Sequence, residues 1–171
     1  MKKTILFLFT ILSFITVSAQ NKAGKVLPFV LLIDNEVPVS SDTHGVFLIK
    51  DSIGTVKDSV MFKYDVGILS MTKTEYQKLF ATRSPNKLSL KIYHLSLNAD
   101  TTYVYEKRIP IKYINWEYPH GYLNNEYFIV KIFNKFDSDS RAKYYFKAGE
   151  DYIMLITIPG MGDVIPRLKK E

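Results

Sequence analysis

The stretch LSLKIYHLSLNADTTYVYEKRI, Leu88 to Ile109, decides the fold class. Leu88, Leu90, Ile92 and His94 alternate with Ser89, Lys91 and Tyr93, so apolar side chains recur every second residue, the period of a half-buried strand. Asn98-Ala99-Asp100 is turn chemistry, and Thr101 to Ile109 returns with β-branched and aromatic residues. Two such runs joined by a polar turn read as an antiparallel hairpin.

The same punctuation continues on both sides. Upstream, Val26 to Ile33 is an apolar run whose Pro28 points to an edge strand or a late strand start. Asp34-Asn35-Glu36 reads as a turn, Gly45 to Lys50 as a short strand, and Asp51-Ser52-Ile53-Gly54 as a turn with Gly54 free to take a positive φ. From Ser59, Val60, Phe62, Tyr64 and Val66 share one face opposite Met61, Lys63 and Asp65. Downstream, Ile111 to Trp116 and Glu126 to Asn134 read as strands, with Glu117 to Asn125 as a loop between them. Asp137 to Arg141 reads as a polar turn, Lys143 to Lys147 as a strand, and Tyr152 to Ile158 as a strand apolar on both faces and therefore central. Pro159-Gly160-Met161-Gly162 stops the pattern.

One helix interrupts the strands. Thr72-Lys73-Thr74-Glu75 is a capping box, in which the hydroxyl and carboxylate satisfy amides left free at a helix start. Tyr76, Leu79 and Phe80 follow at helical spacing, and Pro85 ends the element, which falls near residues 72–82. Seven to nine short strands, polar turns and one helix predict an all-β antiparallel sandwich, immunoglobulin-like or related. The expected organisation is a signal peptide over residues 1–19, a polar lead-in over 20–25, one β-sandwich domain over 26–159 and a tail over 160–171.

The leader reading rests on three parts: basic Lys2 and Lys3, an apolar run from Thr4 to Val17, and the small-residue site Val17-Ser18-Ala19. Its apolar run is shorter than the roughly 20 residues of a spanning helix, so cleavage before Gln20 is expected and no transmembrane segment after it. The chain has no cysteine, which excludes disulfides, thiolate metal sites and lipid attachment at cysteine, and it has no Asn-x-Ser/Thr acceptor. A bacterial periplasmic or secreted location fits these features. The formal net charge of +6 falls to about +4 without Lys2 and Lys3, and its cations are interspersed with acids, as in Lys50-Asp51 and Glu106-Lys107-Arg108, so nucleic acid is not an expected partner.

No motif carries a reaction. His44, His94 and His120 share no zinc spacing, Asp137-Ser138-Asp139-Ser140 lacks the glycine and glutamate of a calcium loop, and no Gly-x-Ser-x-Gly elbow occurs. Catalytic residues, metal and cofactor are therefore not expected. The densest cluster is Trp116, Glu117, Tyr118, His120 and Tyr122, where aromatic rings at a strand end offer stacking surface for sugars beside polar groups for hydroxyls. The plainer reading is that these rings cap the end of the sandwich. Twelve tyrosines also exceed what one core requires, and Tyr93, Tyr145 and Tyr103 or Tyr105 are expected on outward faces. The functional expectation is an exported, non-enzymatic protein that binds another protein or an envelope component through an aromatic face or an edge strand, with carbohydrate binding around Trp116 as the alternative.

Overall fold

The computed structural model describes residues 24–96, 101–109, 128–157 and 168–169. Residues 1–19, read as a leader, lie outside them. Among the described residues eight strands are present: β1 (Lys25–Ile33), β2 (Thr43–Lys50), β3 (Val56–Asp65), β4 (Ile68–Met71), β5 (Lys87–Ser96), β6 (Thr101–Ile109), β7 (Phe128–Asn134) and β8 (Tyr152–Thr157). Two α-helices accompany them, α1 (Lys73–Ala81) and α2 (Ser138–Lys143), with a short 3-10 turn at Ser40–Asp42. All eight strands belong to one sheet in the order β6-β5-β2-β3-β4-β1-β7-β8, and the sheet is nearly barrel-shaped.

The predicted hairpin is the pair β5–β6, running in register from Leu88 opposite Ile109 to Ser96 opposite Thr101. Every neighbouring pair is antiparallel except β1–β7, which is parallel. Purely antiparallel pairing is thus corrected, and Pro28 explains where. Lys25 to Pro28 pair with β4, Phe29 to Ile33 pair with β7, and Phe29 N–H donates to the Gly67 carbonyl at the changeover (2.9 Å). A residue without an amide proton sits where β1 exchanges one neighbour for another, so β1 is interior to the sheet although Pro28 suggested an edge. At its end, Asp34 and Asn35 take φ values of 51° and 69°, the left-handed geometry of a tight hairpin turn that Asp and Asn tolerate.

With these pairings, odd-numbered strands run toward one rim, called the upper rim here, and even-numbered strands run away from it. The interior is packed by Phe29, Leu31, Val60, Phe62, Leu88, Leu90, Ile92, Val130 and Ile132, each 6% exposed or less. Gly45 is required where β2 crosses this core: a Cβ there would lie 2.3 Å from the Phe62 ring and 2.8 Å from the Lys91 carbonyl. The capping box is formed as expected, Thr72 Oγ1 accepting from Glu75 N–H and the Glu75 carboxylate from Thr72 N–H. α1 then buries Leu79 and Phe80 in the core at the lower end.

Three further expectations are corrected. Residues 138–143 form a helix in place of a polar turn, because the Asp137 carboxylate accepts from Ser140 N–H as an N-cap (2.7 Å). Residues 143–147 make no strand; Tyr144 only bridges Leu168. β8 ends the strand order instead of lying centrally. Its second apolar face is covered by a small separate core in which Ile153 and Leu155 pack with Phe133, Tyr144 and Phe146. The C-terminal residues Leu168 and Lys169 are held by that segment, Lys169 N–H donating to the Lys143 carbonyl (3.1 Å).

Candidate functional site

Trp116, Glu117, Tyr118, His120 and Tyr122 lie outside the described residues. The segment that carries them leaves from Ile109 and returns at Phe128, both at the lower rim. The described residues assemble a different site at the upper rim, where the two ends of the sheet meet.

β6 and β8 approach without a backbone ladder. Glu106 N–H donates to Tyr152 Oη (2.8 Å), the Tyr152 hydroxyl donates to the Glu106 carbonyl (3.2 Å), and Lys107 Nζ donates to the Met154 carbonyl. Side chains therefore stitch the seam at mid-height. Because both backbone groups of Glu106 face β8, those of Thr102 and Val104, of the same parity, face the same edge. Among the described residues neither has a partner across the seam. Above Tyr152 the edges diverge, leaving a notch of about 660 Å³.

The notch has aromatic walls. Tyr103 stacks on Phe136 with ring centroids 4.6 Å apart, and Phe136 is 56% exposed. Tyr152 meets Tyr105 edge to face at 5.0 Å. Tyr105 points inward, correcting one of the outward expectations, and its hydroxyl is buried beside the Asn134 side chain. Burial raises its pKa, opposed by the Asn134 side chain and reinforced by the Asp34 charge, so the hydroxyl stays protonated. Lys135 and Asp151 stand on the polar rim, joined by a bond from Lys135 N–H to the Asp151 carbonyl (2.9 Å).

A polar latch fixes one wall. The Asp34 carboxylate accepts from Asn134 N–H (2.7 Å), Asn134 Nδ2 (2.6 Å) and Ser140 Oγ (2.9 Å). It thus ties the turn after β1 to the end of β7 and to α2, positioning Phe136 between them. On the other side of the rim, Thr43 Oγ1 and His94 Nδ1 are 3.0 Å apart. Burial lowers the His94 pKa below 6.5, opposed by the charges of Asp42 and Asp34, which keeps the imidazole neutral at pH 7. Among the described residues no group of three His, Asp or Glu comes together as a metal site.

The sequence expects Tyr103 or Tyr105 on an outward face; both share the inward face of β6, Tyr103 packing half-buried against the core at the rim, and neither Phe136 nor Asp34 is marked by the sequence as a partner of a site. Phe136 had a signal: a large apolar residue between Lys135 and Asp137, in a polar stretch. Asp34 had none, since its partners lie 100 and 106 residues away. Comparison with known protein families, curated proteins and solved structures gives no match.

Proposed function

We propose that this chain is an exported, non-enzymatic recognition protein that holds another protein or an envelope component in the aromatic notch between β6 and the β7–β8 hairpin. The exposed Phe136 ring stacked on Tyr103 carries the reading. Such rings supply large contact area at low entropic cost and are enriched where proteins meet partners. Thr102 and Val104, without a cross-seam partner among the described residues, add backbone donors and acceptors beside that stack. The tripartite leader supports export to the periplasm or beyond. For the architecture we infer a flattened barrel in place of a two-sheet sandwich, supported by the continuous strand order and the side-chain bridges across the seam.

The stacked pair also suits the carbohydrate alternative, since sugar rings pack on aromatic faces. One experiment separates the two. A photoreactive phenylalanine analogue at position 136 of the full, exported chain is expected to give a discrete protein adduct that disappears when Tyr103→Ala loosens the stack. A carbohydrate-positive adduct selects the sugar reading, and labelling no greater than from position 145, exposed outside the notch, contradicts both.

A further inference from the structure

The outer face of β3-β2-β5-β6 carries a second constellation, on the opposite side of the sheet from the core. Register places Lys63, His44, Tyr93 and Val104 in one cross-strand row, Met61, Val46, Lys91 and Glu106 in the next, and Ser59, Leu48, Ser89 and Arg108 in the third. Lys63, Lys91 and Arg108 therefore descend diagonally across the face. With strands about 4.8 Å apart and about 3.4 Å per residue, they are separated by roughly 12 and 8 Å at the backbone.

The middle of this stripe is organised. The His44 and Tyr93 rings stack in parallel, 4.8 Å between centroids and 6° between planes, and the Lys91 ammonium sits 5.1 Å from the Tyr93 centroid. Tyr93 is thus held between an imidazole and a cation, and their polar tips are ordered before any ligand arrives. Two carboxylates on this face are already engaged: Glu106 pairs with Lys50, and Asp65, close enough to Lys63 to feel its charge, accepts from Ser40 Oγ (2.8 Å). Among the described residues Lys63, Lys91 and Arg108 form no salt bridge.

We propose that this stripe binds an acidic polysaccharide chain. Charge complementarity and shape select that occupant. Three cations along a line about 20 Å long match a polymer whose carboxylates fall on every sugar or every second sugar. Duplex nucleic acid presents a charge about every 1.7 Å, roughly a dozen over that length, far more than the stripe neutralises. An anionic membrane calls for clusters of about four to eight basic residues. The Tyr93 hydroxyl and the His44 ring nitrogens serve the sugar hydroxyls between the charges, and their order before binding reduces the entropic cost. This site is independent of the notch.

The test is retention of the full-length mature chain on immobilised polygalacturonate at low salt, with starch as the neutral control. Retention on polygalacturonate alone is expected. The triple variant Lys63→Gln, Lys91→Gln, Arg108→Gln is expected to weaken binding about tenfold or more. The equally charged control Arg141→Gln, Lys143→Gln, Lys147→Gln is expected to change it less than about twofold. Tyr93→Leu, which keeps every cation, is expected to lose about threefold. Unfolding midpoints identify any variant that has lost its fold, and Lys91→Gln alone then replaces it. Equal loss in both triple variants, retention on starch, no retention on polygalacturonate, or stronger binding to duplex DNA or anionic vesicles overturns the proposal.

Discussion

Asp34 is the residue on which the upper rim turns. It occupies a left-handed backbone position, and its carboxylate is the acceptor for three donors from β7 and α2. Asn134 and Ser140 are each 2% exposed, so removing the acceptor leaves buried donors unpaired. Asp34→Ala is expected to destabilise the protein by about 3 kcal/mol, the scale of a lost charge-assisted network. Chemical denaturation measures it; a loss below about 0.5 kcal/mol would mean that water replaces the carboxylate without cost. His94 sets a different dependence. Its pKa is lowered in the folded state by burial, so the unfolded chain binds more protons below 6.5 and stability falls as pH drops through that range toward the folded value. Thermal midpoints between pH 7.5 and about 5 are expected to decline, and to decline less in His94→Gln. Carboxylates with lowered pKa, such as Asp58 beside Lys78 and Asp65 beside Ser40, lose their stabilising charge mainly below 3.8, beneath this window.

Elements with a local cause were legible from the chain. The α1 start follows from hydrogen bonds between Thr72 and Glu75, three residues apart, and Thr72→Ala is expected to cost about 1 kcal/mol in a denaturant titration. The β5–β6 hairpin follows from period-two alternation, and Val60, Phe62 and Tyr64 are buried as their pattern required, while Val66, two residues further, is exposed in the turn. What was not legible depends on distant partners. The apolar run from Tyr152 shows that both faces of β8 are covered, as Ile153, Met154 and Leu155 are, but that pattern does not state what provides the burial. Here it is the Phe133–Tyr144 core and not a central place in the sheet. Pro28 was read by its missing amide alone, and only the arrival of β7 explains how an interior strand tolerates it. Tyr144 and Phe146 share a buried side as an alternating pair should, yet their backbone forms no ladder.

At the scale of the whole molecule, a single sheet curls until its ends meet, and the meeting is incomplete. A ladder would bring backbone groups of β6 and β8 to the spacing of about 4.8 Å at which they bond directly. Instead Tyr152 and Lys107 reach across from side chains, and above them the edge beside Phe136 has no partner among the described residues. Inward-pointing Lys107 also discourages a neighbouring chain from zipping onto the lower part of that edge. The notch is thus a product of global closure, which explains why the local signals at Tyr103 and Phe136 do not disclose that the two rings meet. Residue-resolved amide hydrogen exchange of the free protein tests this most directly. Val104 is expected to exchange rapidly while Tyr105, facing Ile92 in the β5–β6 ladder, and Glu106, held by Tyr152 Oη, are protected. Protection of Val104 equal to that of Tyr105 would mean that the seam is closed by backbone pairing, and would contradict it.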